Sequence, residues 1–306
     1  MPLINRCGGG VSVVDLCAQV EGFAIIPSGS NSLTVVWSAP KDDSFVGARI
    51  VRKTGSAPTG INDGTVVYEG TALSYTDTGL TAGTTYYYRA FAYNAKKKYQ
   101  TEYRVASLTA IALNSNFASN TWEQIIAACQ SGSVPDTWVA GDNKTMTIDG
   151  ADYQIDIIGK SHDTYAAGGT APLTFQLHDC FSTISDRGEL SSVLTKLPES
   201  IQSGIKSVSK TINNKSVSLK LFNLTENEVF GAKKYATYAE GTQYAYYAAG
   251  NSKIKKVGSN AAKWWLSSLV FQSGNYVQNA LIVSMTGASE KVSPTGAAYL
   301  AFAFCF

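Results

Sequence analysis

The chain has 306 residues, 44% of them hydrophobic, 11% aromatic and only 16% charged, a balance that excludes a disordered polymer and a coiled coil. Its net charge of +2 sums 25 basic and 23 acidic side chains, so no strong field points to a nucleic-acid partner or to membrane insertion. No apolar run approaches the roughly 18 residues that a spanning helix needs. The length predicts two domains. Tyrosine is frequent (17) and histidine rare (2), so Ser, Thr, Gly, Asn and Tyr dominate the expected surface, as they do at recognition surfaces. The five cysteines, Cys7, Cys17, Cys129, Cys180 and Cys305, are odd in number and lack C-x-x-C spacing, which argues against a disulfide framework or a structural zinc.

Residues 1–20 precede the first periodic segment and lack the pattern of a secretory signal. They are expected to be an N-terminal attachment arm. From 21 to 110, short alternating runs recur about every ten residues with no helical pattern between them. Leu33, Val35 and Trp37 share one face, and further runs lie at Ile50–Arg52, Val66–Tyr68, Ser74–Thr76, Thr84–Tyr93 and Glu102–Leu108. This spacing predicts an all-β sandwich. Trp37 and the stretch Gly79–Ala90, with Leu80 and Tyr86 in the places of a family leucine and corner tyrosine, resemble a fibronectin type III domain. That resemblance implies a spacer or binding module.

The run Asn114–Asn120 reads as a linker, placed at 111–120, and the pattern changes at Thr121. Thr121-Trp122-Glu123-Gln124 is a capping box; Trp122, Ile125, Ile126 and Cys129 follow at helical spacing, and Gly132 ends the helix. Met146 and Ile148, the turn Asp149-Gly150, then Tyr153, Ile155 and Ile157 predict a hairpin. Leu173–Leu177 reads as a strand, Asp186–Leu197 as a helix stopped by Pro198, and Val217, Leu219 and Leu221 as a strand. A second capping box, Thr225–Glu228, opens a short turn. Leu281–Ser284 and Ala298–Phe306 read as strands. Residues 121–306 are therefore expected to form an α+β domain.

Many segments here, among them Trp122–Ile125, Gly141-Asp142, Phe175–Cys180, Glu228–Gly231, Glu240–Tyr247 and Trp264-Trp265-Leu266, closely resemble a domain family with a C-type-lectin-like fold that occurs in tail proteins of phages from gut bacteria. Retroelements diversify some of its relatives. Ser267-Ser268-Leu269 departs from the family's usual Arg-Ser-Pro, and Leu300–Ala303 replaces its glycines, which implies a more apolar last strand.

Histidine is the commonest general base near neutral pH, and only His162 and His178 are available. With Asp163 and Asp179 they compose a weak candidate for a divalent metal site; the competing arrangement is a hydrogen bond within each His-Asp pair that fixes loops. Gly159-Lys160-Ser161 lacks the first glycine of a phosphate loop, which Gln154 replaces, and there is no nucleophile elbow. No catalytic residue and no cofactor is expected. The aromatic cluster and the polar run after Leu266 nominate a ligand-binding set: Tyr244, Tyr247, Trp264, Ser267, Ser268, Gln272, Asn275, Tyr276, Gln278 and Asn279.

Together the resemblances imply a non-catalytic phage virion protein of the tail fibre or tail tip, made in the host bacterial cytoplasm and displayed on the virion surface. Its N-terminal region would attach to other virion proteins, its copies would form a homo-oligomer, and its lectin-like domain would bind a host-surface glycan or protein. Two alternatives stay open: a capsid or tail decoration protein, and an envelope polysaccharide-degrading enzyme.

Overall fold

The computed structural model describes residues 17–28, 31–101, 107–181, 184–185, 190–272 and 277–306. The chain divides into two compact units, Met1–Leu113 and Asn114–Phe306. Among the described residues no helix is long and apolar enough to cross a membrane.

The first unit contains β1 (Glu21–Pro27), β2 (Leu33–Ser38), β3 (Phe45–Thr54), β4 (Thr65–Gly70), β5 (Ser74–Asp77), β6 (Thr85–Asn94) and β7 (Ser107–Ile111). They form a three-stranded sheet, β1-β2-β5, and a four-stranded sheet, β4-β3-β6-β7. Alternation decides the packing: Leu33, Val35 and Trp37 meet Ala48, Ile50, Tyr88 and Ala90 in one core. The Tyr86 hydroxyl accepts the Thr81 amide at 2.9 Å and closes the corner beside buried Leu80. These features make a fibronectin type III-like sandwich.

Most of the expected attachment arm lies outside the described residues. Its last four residues belong to the sandwich, because Cys17 and Val20 are buried in the core. Gln19 donates to Ala90 O at 3.0 Å and accepts from the Ala92 amide at 3.1 Å. The expected linker is also corrected. Ile111 ends β7 and Ala112 is in the sandwich core, whereas Asn114–Asn120 is part of the second unit. There the Asn120 side chain accepts from the Asn114 amide at 2.7 Å and donates to Asn116 O at 2.9 Å. This folds the chain so that Phe117 packs edge-on to Trp138, 5.4 Å between ring centroids. A stretch of short polar residues reads as linker, yet its asparagines supply the hydrogen bonds of a fixed turn.

The second unit begins with α1 (Trp122–Ser131), whose capping box is formed on both sides and whose end is the left-handed Gly132. Its strands are β8 (Asn143–Ile148), β9 (Ala151–Lys160), β10 (Thr164–Tyr165), β11 (Leu173–Leu177), β12 (Ile184–Ser185), β13 (Val208–Ile212), β14 (Lys215–Leu219) and β15 (Leu221–Phe222). They continue with β16 (Lys255–Val257), β17 (Asn260–Ala262), β18 (Trp264–Phe271), β19 (Val277–Val283), β20 (Ser289–Val292), β21 (Ala298–Tyr299) and β22 (Ala303–Cys305). Two five-stranded sheets dominate, β15-β22-β11-β9-β8 and β12-β21-β18-β19-β20, with β10-β13-β14 and the β16-β17 hairpin beside them. The remaining helices are short: α2 (Leu190–Leu194), α3 (Glu199–Gly204), α4 (Glu226–Phe230) and α5 (Ala245–Ala248). The unit is mostly β with short helices, where the sequence pattern predicts an α+β domain.

Three elements differ from expectation. The helix expected over 186–197 is described only from Leu190, and Pro198 stands at the N-terminal cap of α3 rather than simply ending a helix. Leu221 leaves β14 and joins the sheet of β22, with Leu221 paired to Phe304. The polar loop expected after Leu266 is instead β18, buried through Val270 and paired with β19. The two serines are held there by the Ser268 hydroxyl, which accepts the Glu226 amide at 2.8 Å, and by the Ser267 amide, which donates to Leu224 O at 2.8 Å. The apolar ending is confirmed: Leu300–Phe306 is buried, and β22 lies between β15 and β11.

Candidate functional site

The expected ligand-binding residues separate into three groups. Tyr244, Tyr247 and Trp264 are core residues and present no ring face to solvent. Both members of the Trp264-Trp265 pair are buried, because each face of β18 is covered. The Trp264 indole donates to Lys253 O at 3.0 Å, and the Tyr247 hydroxyl donates to Gln176 Oε1 at 2.7 Å. Ser267 and Ser268 are buried too; the Ser267 amide donates to Leu224 O at 2.8 Å. Ser267 lines a cavity of about 470 Å³ with Leu190, Leu194, Ile212, Leu219 and Leu221. Asn275 and Tyr276 lie outside the described residues. Gln272, Gln278 and Asn279 remain at the accessible end of the β18–β19 hairpin, where Gln272 and Gln278 are exposed and Asn279 is half-buried. This end is polar, while the strands below it are fixed by Leu269↔Ala280 and Val270↔Asn279 pairing.

A second site surrounds His162 and was only half legible. The imidazole stacks on the buried Tyr244 ring, 3.9 Å between centroids, and its Nε2 lies 3.5 Å from the Thr242 hydroxyl. Burial holds His162 below its usual 6.5, opposed by the nearby Asp163 charge. Asp163 does not bond its neighbour. Its carboxylate accepts from Lys210 Nζ at 2.9 Å, Thr174 Oγ1 at 2.6 Å and the Tyr244 hydroxyl at 2.8 Å. Lys210 also donates to Glu228, whose other oxygen accepts the Thr225 amide at 2.8 Å and thereby completes the second capping box. Burial raises the cost of these charges. Lys210 nevertheless stays protonated above its usual range because Glu228 and Asp163 face it, and Asp163 is held low by Lys210 and its hydrogen bonds.

His162, Asp163, Lys210, Glu228 and Thr242 line a polar cavity of about 220 Å³. Gly241 closes one side with φ +73°, and a Cβ there would come within 2.6 Å of Glu228 Cγ, so the carboxylate depends on glycine at that turn. The sequence reading missed Lys210 and Glu228. One signal was present: Val208, Lys210 and Ile212 alternate on one face of β13, a lysine in an inward register.

His178 pairs with Asp156 rather than Asp179, Nδ1 lying 2.8 Å from Oδ2. That hydrogen bond raises its pKa above 6.5 despite partial burial. Asp179 accepts the Lys256 amide at 2.8 Å. The four metal candidates therefore serve separate partners. Among the described residues, no group of three or more His, Cys, Asp and Glu side chains is arranged to hold a metal.

The fold and sites define a chain with a fibronectin type III-like sandwich and a mostly β unit built over a buried charge network. Residues 113–298 match the model of a family described as a domain of unknown function, DUF6273, and the chain belongs to that family. No curated protein sequence matches the chain. Among solved structures it is similar to the Clostridium perfringens spore cortex lytic enzyme SleM, at 18% identity and a TM-score of 0.25, over 31% of this chain and 28% of that enzyme's length. It is also similar to the fibronectin type-III domain of human fibronectin type III domain containing protein 3, at 21% identity and a TM-score of 0.28, over 36% of this chain and 100% of that domain.

Proposed function

We propose that this chain is a non-catalytic phage virion protein of the tail fibre or tail tip, whose second unit is a C-type-lectin-like domain that binds a host-surface glycan or protein. The observation that carries the reading is the accessible end of the β18–β19 hairpin. Gln272, just past β18, and Gln278, in β19, are exposed there beside strand residues that are mostly buried. Amide side chains on a rigid scaffold suit recognition by hydrogen bonds, and little ordering entropy is lost when the ligand docks. The resemblance of Glu240–Tyr247 and Trp264–Leu266 to the phage-tail family supports the phage-tail reading through the core of the unit, where most of these residues are buried. In this reading the N-terminal region attaches to other virion proteins, and repeated copies add avidity of roughly 10²- to 10⁴-fold to weak single sites.

The test is adsorption. Particles carrying Gln272→Ala with Gln278→Ala should assemble normally and adsorb at least about tenfold more slowly, given that loss of two hydrogen bonds removes on the order of 1–3 kcal/mol per site. The isolated full chain should lose binding to host envelope glycans in parallel. Deleting 114–306 without any change in adsorption would exclude the receptor role and leave a decoration protein.

A further inference from the structure

We propose that Lys210 and Asp163 are joined by an intramolecular isopeptide bond, formed spontaneously after folding with Glu228 as the proton carrier. This inference is independent of the ligand reading. Strands β10 and β13 pair Thr164 with Ser209, which sets Asp163 and Lys210 at the next position of the same antiparallel ladder. The amine then lies 2.9 Å from Asp163 Oδ1 and touches Glu228 Oε1 in the same geometry. All three side chains are at most 5% exposed. The amine is flanked by the Phe222 ring at 4.6 Å and the Tyr244 ring at 5.4 Å.

That arrangement has what an amide condensation needs: a lysine nucleophile, a carboxyl electrophile held against it, and a second carboxyl able to move a proton between them. Thr174 Oγ1 and the Tyr244 hydroxyl both donate to Asp163 Oδ2, so two donors stand where negative charge develops when the carbonyl carbon is attacked. The resting pair is ionic. Transfer of one proton along the Lys210–Asp163 hydrogen bond gives a neutral amine and a neutral acid without changing the charge of the cluster. The amine lone pair then bonds to Asp163 Cγ. Glu228 takes a proton from the nitrogen and passes it to the hydroxyl derived from Oδ1, the Cγ–Oδ1 bond breaks, and one water leaves. An amide nitrogen with one hydrogen remains, and no oxidant or other reactant is consumed.

In water such a condensation is unfavourable between separate molecules. A fixed pair gains an effective molarity of about 10⁵–10⁸ M, which is what favours the intramolecular amide. The polar cavity beside His162 gives the released water a way out. Among the buried ion pairs, this arrangement also accounts for the second carboxylate: one would suffice to neutralise Lys210, whereas a proton carrier requires another.

The experiment is the intact mass of the unmodified full chain under denaturing conditions, followed by peptide mapping. The expected mass is one water below that of the sequence, with Asp163 and Lys210 recovered in a single branched peptide. A mass equal to the sequence, with the two residues in separate linear peptides, overturns the proposal. Asp163→Asn should lose ammonia in place of water. Glu228→Gln, shown to be folded by its circular dichroism, should keep its full mass; a folded Glu228→Gln chain that still loses water overturns the role of Glu228. The wild-type mass decides the bond itself even where a variant fails to fold.

Discussion

The Ser268 hydroxyl accepts a hydrogen bond from the Glu226 amide at 2.8 Å, tying the middle of β18 to the first turn of α4. The Glu226 carboxylate extends the tie: one oxygen accepts the amides of Lys234 at 3.0 Å and Ala236 at 2.8 Å, and the Ser289 hydroxyl donates to the other. The buried Glu226 carboxylate is thus held by backbone N–H groups and a hydroxyl, the arrangement that makes burial of a carboxylate tolerable.

Removing either end of this chain of bonds leaves buried donors unmet. Ser268→Ala should lower the unfolding free energy by about 1–3 kcal/mol, the cost of one buried unsatisfied amide. Glu226→Ala should cost more, because several donors lose their acceptor together. Urea denaturation of both variants checks this; a Ser268→Ala chain as stable as the parent contradicts the assignment.

In the sandwich, Tyr86→Phe keeps the ring packing and removes only the hydroxyl that accepts the Thr81 amide. A loss of about 1 kcal/mol is expected. Hydrogen exchange at the Thr81 amide should rise while the strands of the second unit keep their protection. Unchanged exchange at Thr81 would show that the corner bond contributes nothing.

Local rules made some elements legible. Both capping boxes formed, and Asp149 and Gly150 adopt the positive φ of a two-residue hairpin turn, at +52° and +78°, as their residue types demand. The sandwich was legible because one face alternates with turns at regular intervals. β18 was not. Its serines look solvent-facing, and only the distant Glu226 and Leu224 show that they lie inside. The same reason hid Lys210: the carboxylates that neutralise it stand 47 and 18 residues away, beyond any local pattern. The His-Asp neighbours misled in the opposite direction, since adjacency in sequence did not make either pair a hydrogen bond.

The two histidines should titrate on opposite sides of 6.5. The Asp156 hydrogen bond raises His178, so its contribution to stability is present below the unfolded value and fades as pH rises through the folded one. His162 is lowered by burial, so protonating it opposes folding and stability falls as pH drops through the unfolded value towards the folded one. Side-chain NMR titration checks both directions, and Asp156→Asn should bring His178 down. Two histidines titrating together near 6.5 would contradict the pairing. The effect of His178 on overall stability should be small, because its side chain is 47% exposed.

Lys255 gives a further pH dependence, on the alkaline side of neutrality. Its ammonium is fully enclosed, donates to Leu177 O and to His178 O at 2.8 Å, and lies 5.5 Å from the Trp264 ring. Burial pulls its pKa from 10.5 down to about 8. The folded chain therefore binds fewer protons than the unfolded chain between those values, and stability should rise as pH increases across that window. A shift of this size corresponds to roughly 3 kcal/mol that opposes folding at pH 7. Lys255→Met removes that penalty but also removes the donors to two carbonyls, which costs about 1–2 kcal/mol. The variant should thus be at least as stable as the parent at pH 7 and less stable above pH 10, where the parental amine is neutral and keeps its hydrogen bonds. Urea unfolding at both pH values reads the crossover; parallel stability profiles for the two chains would show that Lys255 keeps its charge with no penalty inside the fold.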